Sequence, residues 1–141
     1  MSDARIVFFS SVTENTRVFV EQLGFPSERL PLRRGDDELI VDYPYILFVP
    51  TYGGGRGEAA VPPQVKRVLA HAEHRKLCVG VVGGGNLNFG EKYAIAADLV
   101  AKKIGVPVLA RFELRGSVSD RDHISQGITE HWDRLVSMRG L

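Results

Sequence analysis

Tyr45-Ile46-Leu47-Phe48-Val49 is a continuous run of apolar residues, and Pro50-Thr51 ends it. A run without alternation between apolar and polar residues is typical of a strand buried on both faces of a parallel sheet. Similar runs lie at residues 6–9, 77–82 and 108–114, and a weaker one, limited in its pairing by Pro31, lies at 29–32. The sequence therefore predicts five strands.

Segments with helical spacing of apolar residues separate the predicted strands. One spans residues 15–23, one follows Pro62-Pro63 and continues to Ala72, and one spans residues 91–104. The last helix follows a predicted capping pair, Ser119 and Asp122. Alternating strands and helices predict an α/β fold with a doubly wound, five-stranded parallel sheet in the order 2-1-3-4-5 and helices on both faces. We predict a single domain over residues 1–141.

The composition excludes several classes of protein. Hydrophobic residues make up 44% and charged residues 25% of the 141 residues, which argues against disorder. The net charge of +1 gives no broad basic surface for nucleic acid, and Cys78, the single cysteine, excludes an internal disulfide. No apolar run approaches the roughly 20 residues that span a bilayer, and no signal-peptide pattern opens the chain. We predict a cytoplasmic protein without nucleic-acid or membrane partners.

A loop rich in hydroxyl and amide side chains follows the first predicted strand. Residues 10–16 read Ser-Ser-Val-Thr-Glu-Asn-Thr and lead directly into a helix. Hydroxyls and free N–H groups at a helix N-terminus can bind a phosphate dianion. Simple N-capping would need only one or two hydroxyl or amide side chains. Five of these seven residues carry one, and this excess favours a phosphate site. Because the loop contains no lysine or arginine, we expect an uncharged site that binds through hydrogen bonds alone.

Two glycine clusters follow the third and fourth predicted strands, at residues 51–57 and 83–90. Glycine allows a backbone to approach a flat ligand closely and to adopt positive φ. A flexible linker is the alternative, but both clusters lie between strand and helix signals, where short loops are normal. Since the carboxyl ends of parallel strands share one sheet edge, the three loops together predict a site for a planar, phosphate-bearing cofactor.

Other chemistries find less support in the same positions. The chain contains neither a Gly-x-x-x-x-Gly-Lys-Ser/Thr phosphate loop nor Gly-x-Gly-x-x-Gly, which disfavours nucleotide hydrolysis and dinucleotide binding. Cys78 lies within an apolar run, which favours a buried, inert thiol. His71 and His74 are expected at the exposed end of a helix without a third ligand, so no metal site is predicted.

Four segments of the chain carry a specific pattern. They are residues 10–16 (Ser-Ser-Val-Thr-Glu-Asn-Thr), 49–55 (Val-Pro-Thr-Tyr-Gly-Gly-Gly), 85–91 (Gly-Asn-Leu-Asn-Phe-Gly-Glu) and 111–116 (Arg-Phe-Glu-Leu-Arg-Gly). In order and spacing they resemble the NrdI family, small flavodoxin-like FMN proteins that serve class Ib ribonucleotide reductase. Ordinary flavodoxins share the first segment but lack Asn-x-Asn-Phe-Gly and Phe-Glu-Leu-x-Gly, which makes the resemblance specific.

The resemblance implies which residues bind the cofactor. Those between 10 and 16 would hold the FMN phosphate, those between 51 and 54 one side of the isoalloxazine, and those between 84 and 90 the other. The implied set is Ser10, Ser11, Thr13, Glu14, Asn15, Thr16, Thr51, Tyr52, Gly53, Gly54, Gly84, Gly85, Asn86, Asn88, Phe89 and Gly90. No side chain is expected to act as a general acid or base, because the flavin carries the chemistry.

The resemblance also implies a role and partners. Reduced FMN would react with O2, and the resulting superoxide or peroxide would reach NrdF, the dimanganese subunit of class Ib ribonucleotide reductase, for assembly of its tyrosyl-radical cofactor. An electron donor of unknown identity is implied, as is a monomer that joins its partner. This makes the protein a redox-active accessory protein rather than a conventional enzyme. The alternatives are a general electron-transfer flavodoxin, disfavoured by the near-zero net charge, and a flavin-free interaction module.

Overall fold

The computed structural model describes residues 3–33, 35–51, 60–85 and 94–141. The elements in these ranges follow one another in this order: β1 Ile6–Phe8, α1 Asn15–Leu23, β2 Ser27–Arg29, β3 Tyr45–Pro50, α2 Pro63–Leu69, α3 Ala72–Leu77, β4 Cys78–Gly85, α4 Ile95–Ile104, β5 Val108–Glu113 and α5 Val118–Met138. The strands form one parallel sheet in the order β2-β1-β3-β4-β5. The predicted fold class and strand order are confirmed.

The central strand β3 contributes to two hydrophobic cores, one on each face of the sheet. Leu47 packs in the core beneath α2, α3 and α4, whereas Ile46 and Phe48 pack in the core beneath α1 and α5. All three side chains are fully buried. Burial on both faces explains why the run has no polar alternation. None of the helices in the described ranges is both long and apolar enough to cross a bilayer.

The edge strand β2 lies earlier in the chain than predicted, at Ser27–Arg29 instead of residues 29–32. The last backbone bond to β1 is donated by the N–H of Leu30 to the carbonyl of Phe8, at 2.8 Å. Pro31 has no N–H to continue the ladder. Leu30 is nevertheless 2% exposed, because it packs in the core after the strand has ended. The apolar pattern therefore indicated burial correctly but placed the strand wrongly.

The helix predicted after the first glycine cluster is two helices. α2 ends at Leu69 and α3 begins at Ala72, because the backbone of His71 is extended (ψ 123°). Arg75 of α3 then donates to the carbonyl oxygens of Leu69 (2.7 Å) and Ala70 (3.0 Å). The last carbonyls of a helix have no intrahelical donor, so these bonds satisfy the end of α2.

Most of the other element boundaries differ from the prediction by a few residues, and those of α1 agree with it. β4 extends to Gly85 rather than residue 82, and β5 ends at Glu113. α4 begins at Ile95, and the predicted start of that helix at residue 91 lies outside the described residues.

The capping pair of α5 is not the predicted Ser119 and Asp122. Ser117 and Asp120 form it instead, because their side chains bond each other's backbone N–H at 3.0 and 3.1 Å.

His74 is buried, contrary to the expectation that both histidines lie at an exposed helix end. It is 2% exposed; its Nδ1 donates to the carbonyl of Val68 (2.7 Å), and its Nε2 accepts from the N–H of Val41 (3.1 Å). Since a carbonyl only accepts and an amide N–H only donates, both ring nitrogens are used by a neutral imidazole. His71 is exposed and pairs with Glu38 at 2.6 Å. His74 therefore has a structural role in joining two chain segments.

Replacing His74 by phenylalanine is expected to lower the free energy of unfolding by about 2–4 kcal/mol, because a buried carbonyl and a buried amide lose their partners. The matched control is His71→Phe, which removes the exposed hydrogen bond to Glu38, worth about 1 kcal/mol or less. Urea unfolding followed by circular dichroism measures both values. Equal losses in the two variants would contradict the structural role of His74.

Candidate functional site

The hydroxyl-rich loop connects β1 to α1 at the carboxyl edge of the sheet, where β1 lies between β2 and β3. The side chain of Ser10 is fully buried, and its Oγ accepts from the N–H of Arg17 in the first turn of α1, at 3.1 Å. Thr16 is 3% exposed, so it faces the protein rather than solvent. Ser10 therefore helps to cap α1 and fixes where the loop leaves the strand.

The hydroxyls of Ser11 and Thr13 remain available at the tip of this loop. Their oxygens are 2.9 Å apart, and they bond each other at an exposed position. The N–H of Glu14 donates to the carbonyl of Ser11 (2.9 Å), which closes the turn immediately before the helix. The first N–H groups of a helix have no intrahelical acceptors, so the N-terminus of α1 presents backbone N–H donors next to these hydroxyls. Exposed hydroxyls beside a helix N-terminus fit an anionic group such as a phosphate monoester.

Glu14 connects this loop to two arginines. Its carboxylate bonds Arg17 within α1 and Arg29 at the end of β2. Hydrogen bonds from Arg29, and then from Arg17, hold the pKa of Glu14 below its ordinary value. On the other side of the loop, Nε of Arg115 donates to Oδ1 of Asn15 at 3.2 Å. The tertiary structure thus brings Arg29 and Arg115 from distant parts of the sequence to a loop that itself contains no lysine or arginine.

Thr51 lies where β3 ends, beside the last residues of β4. Its N–H donates to the carbonyl of Gly84 (3.1 Å), and its Oγ1 accepts from the N–H of Ala96 (3.1 Å) in the first turn of α4. The side chain of Thr51 thus caps a helix that is distant in sequence. This bond fixes α4 against the edge where the predicted site lies.

The glycine pattern predicted that Gly84 and Gly85 lie in a loop after the fourth strand. In the structure both residues belong to β4. A Cβ on Gly84 would lie 2.9 Å from Cζ of Phe112, so the ring of Phe112 occupies the space that a side chain would need. The carbonyl of Gly85 accepts from the N–H of Leu114 at 2.9 Å. Close packing of β4 against its neighbours therefore requires glycine at position 84, whatever ligand binds nearby.

Several predicted site residues lie outside the described residues. They are Tyr52, Gly53, Gly54, Asn86, Asn88, Phe89 and Gly90. The structure thus places the predicted residues between 10 and 16, together with Thr51, Gly84 and Gly85, at one edge of the sheet. The roles assigned to the whole set remain predictions.

The segment after β5 joins the same edge, although no site residue was predicted there. A cavity of about 450 Å³ lies between it and α1, lined by Asn15, Leu114, Arg115 and Asp120 among others. Gly116 has φ +73°, and a Cβ there would lie 2.4 Å from the ring of Phe19. The Phe-Glu-Leu-x-Gly pattern at residues 112–116 was the sequence signal that could have indicated this segment. It marks a turn packed against α1, the helix that begins at the hydroxyl-rich loop.

Residues with strained backbone conformations are concentrated at this edge of the sheet. Among the described residues, the non-glycine positions with positive φ are Glu14 (64°), Ala94 (55°) and Leu114 (52°). They lie between β1 and α1, between β4 and α4, and directly after β5. Such conformations are unfavourable by about 1–3 kcal/mol each and are concentrated at ligand sites. Backbone strain therefore marks the same edge as the hydroxyls.

In the described part, a second cavity, the potential metal ligands and Cys78 are alternatives to this edge, and none of them indicates the predicted site. A larger cavity, about 750 Å³, opens beside Arg5 and Trp132 at the amino ends of β1 and β3, and none of the predicted site residues lines it. In the described ranges no group of three histidine, cysteine or acidic side chains could hold a metal ion. Cys78 is fully buried, and burial raises the pKa of its thiol to about 12.

Solved structures with a similar fold include flavodoxins. The crystal structure of Fusobacterium nucleatum flavodoxin bound to flavin mononucleotide has a TM-score of 0.59 and 16% identity, covering 93% of this chain and 98% of that one. A flavodoxin from the domain Archaea has a TM-score of 0.57 and 12% identity, covering 94% of this chain and 98% of that one. At these identities the likeness shows the fold alone, which is flavodoxin-like.

Sequence comparisons give the family. The family described as "NrdI Flavodoxin like" matches residues 7–126. Proteins called "Protein NrdI" from Escherichia coli O9:H4 (strain HS) and Shigella boydii serotype 18 (strain CDC 3083-94 / BS512) are each 50% identical to this chain over 131 residues. These matches cover 93% of this chain and 96% of each relative. The sheet order, the hydroxyl loop and these matches agree, and the chain belongs to the NrdI flavodoxin-like family.

Proposed function

We propose that this chain is an FMN-binding protein that serves class Ib ribonucleotide reductase. It would act as a single domain over residues 1–141, in the cytoplasm and as a monomer before it joins its partner. Its role would be to supply superoxide or peroxide to the dimanganese subunit NrdF, where the tyrosyl-radical cofactor is assembled. The observation that carries this proposal is the exposed pair of hydroxyls at the N-terminus of α1, in a chain of the NrdI family.

The phosphate of FMN would bind at the loop between β1 and α1. Ser11 and Thr13 would donate their hydroxyls, and the first N–H groups of α1, at Asn15 and Thr16, would point toward the same anion. A bound phosphate would replace the bond that the two hydroxyls now make with each other. Ser10 would contribute through its cap, because its Oγ already holds the N–H of Arg17.

The flavin ring would lie between the segments that follow β3 and β4. Residues 51–54 would line one side and residues 84–90 the other. Thr51 supports this arrangement, since its backbone bond to Gly84 and its cap on α4 hold the two segments together. When bound and reduced, FMN supplies the electrons that reduce dioxygen. The protein's part is to bind and orient the ring while leaving an edge open to oxygen and to the partner.

The thiol of Cys78 would take no part in this redox chemistry. It is fully buried, and a thiol whose pKa is raised to about 12 stays protonated at neutral pH. No other cysteine exists in the chain. Electron transfer through a disulfide is thus excluded, which supports a bound cofactor as the electron carrier.

The first test is to purify the protein and extract its cofactor. A yellow protein that releases FMN is expected, and a colourless protein that fails to bind added FMN would contradict the proposal. The second test is anaerobic reduction, followed by exposure to oxygen in the presence of manganese-loaded NrdF. A tyrosyl-radical signal in electron paramagnetic resonance is expected, and it should be absent when the flavoprotein is omitted. FMN binding without any radical would favour a general electron-transfer flavodoxin.

A further inference from the structure

We infer that Arg29 is a positioning residue for phosphate binding: its guanidinium ties together the two ends of the loop at residues 10–14 and neutralises Glu14 beside the bound anion. The inference rests on the proposed function, because it concerns the phosphate end of FMN. Nothing in the sequence around residue 29 indicated this role. It depends on β2 and the loop being neighbours at the same sheet edge.

The contacts of Arg29 reach both ends of the loop. Its Nη2 donates to the carbonyl of Ser10 (3.0 Å), where the chain leaves β1, and to Oε1 of Glu14 (2.5 Å), where α1 begins. Its Nη1 donates to Oε2 of Glu14 (3.1 Å), which completes a bidentate pair. The planar guanidinium can make all three bonds at once, a geometry that a lysine ammonium on a flexible stem cannot reproduce.

The conformation of Glu14 explains why such a tie is needed. Its φ of 64° is left-handed, which is unfavourable for a non-glycine residue. In this conformation its N–H closes the turn to Ser11 and its carbonyl accepts from the N–H of Val18 in α1 (3.0 Å). Holding the carboxylate in place holds the backbone of Glu14, and with it the exposed hydroxyls on the loop.

The charges at the loop also require Arg29. A carboxylate beside a phosphate dianion would repel it, unless cations offset the carboxylate. Arg17 binds Glu14 but shares its charge with Glu21, whose Oε2 lies 2.9 Å from its Nη1. Arg115, on the other side of the loop, bonds the neutral amide of Asn15 and not either carboxylate. Without Arg29, Glu14 and Glu21 would therefore share Arg17 as their cation, whereas with Arg29 these four side chains carry no net charge.

Arg29 is partly exposed, with 32% of its side chain accessible, and Glu14 is similar at 30%. A pair at this depth adds little to the stability of the whole fold, since solvent screens it. Its effect should therefore appear in the shape and charge of the loop. In the proposed site the flavin ring would lie at residues 51–54 and 84–90, so loss of Arg29 should weaken binding of the phosphate and not of the ring.

The test compares FMN with riboflavin, which has the same ring but no phosphate. In the full-length protein, Arg29→Ala is expected to weaken FMN binding about tenfold, while riboflavin binding changes by about twofold or less. Arg29→Lys keeps the charge but loses the bidentate bonds, so a smaller loss for FMN is expected. Arg134→Ala, on the exposed face of α5, removes the same side chain far from the loop and should change neither affinity. Flavin fluorescence titration measures the dissociation constants.

An unchanged ratio of FMN to riboflavin affinity in Arg29→Ala would overturn the inference. If that variant fails to fold, Arg29→Lys gives the answer by the same ratio, and an unchanged ratio there overturns it equally. Equal weakening of both ligands would also overturn it, because that result indicates a structural role. Failure of the wild-type protein to bind FMN would instead refute the proposed function, so the two failures are distinguishable.

Discussion

Removing the two exposed hydroxyls in one variant, Ser11→Ala with Thr13→Val, is expected to weaken FMN binding about a hundredfold or more. A hydrogen bond to a charged group contributes about 1.5–3 kcal/mol, and two such bonds are lost. The fold should be unaffected, because among the described residues these hydroxyls bond only each other, at an exposed position. Riboflavin affinity should change little, since riboflavin has no phosphate for the loop to bind.

Two controls sharpen this experiment. Val12 lies between the two residues, is 82% exposed and has no hydroxyl, so Val12→Ala should leave FMN affinity unchanged. Thr13→Ser keeps the hydroxyl and should keep most of the affinity. The dissociation constants come from fluorescence titration, and thermal unfolding of the apoprotein checks the fold. If the double variant bound FMN as tightly as the wild type, the phosphate site would have to lie elsewhere.

Substituting Gly116 by alanine is expected to lower the free energy of unfolding by about 3 kcal/mol, from about 1 kcal/mol of left-handed strain and about 2 kcal/mol of overpacking. The glycine has φ +73°, and an added Cβ would lie 2.4 Å from Cδ1 and Cε1 of Phe19. Phe19 has no room to move, because it is fully buried and stacked on Phe112, with ring centroids 4.1 Å apart.

Gly105 provides a matched control for this substitution. Its φ is +74°, almost the same as that of Gly116, but nothing lies within 4 Å of the position that a Cβ would occupy. Gly105→Ala should therefore lose only the conformational part, about 1 kcal/mol. Urea unfolding of both variants separates the two contributions. Similar losses would show that Phe19 yields to the new methyl group and that packing does not require glycine at position 116.

Local sequence patterns correctly predicted the helices and strands that are determined by residues close together in the sequence. α1 has the bounds that its apolar spacing indicated, and β3 differs from the prediction only at Pro50. Both segments combine a strong periodic or continuous pattern with clear ends, Gly24 for the helix and Thr51 for the strand. The strand order followed from the alternation of strands and helices, because few topologies satisfy right-handed crossovers.

Two errors concern residues 62–77. The split between α2 and α3 lies at the extended backbone of His71, and Arg75 satisfies the carbonyls at the end of α2. The burial of His74 depends on the N–H of Val41, more than thirty residues away in the chain. The apolar spacing does not register a change in one backbone angle at His71, and a short window does not contain Val41, so the sequence favoured one longer helix and an exposed histidine.

The cap of α5 was misplaced for a different reason. Ser-x-x-Asp occurs at residues 117–120 and again at 119–122, so the local pattern permits two helix starts. Gly116, which packs against Phe19, places the turn so that the first pair forms the capping box. Tertiary packing here selects between two solutions that are equal in sequence.

The sequence by itself determined the fold class, the strand order, the family and the position of a hydroxyl-rich loop at the carboxyl edge of the sheet. These follow from periodicity and motif order, which act over short stretches of chain. Only the tertiary structure decided the electrostatics of that loop, by bringing Arg29 and Arg115 to Glu14 and Asn15. Charge acts through space, so a loop that contains no cation can still lie beside two.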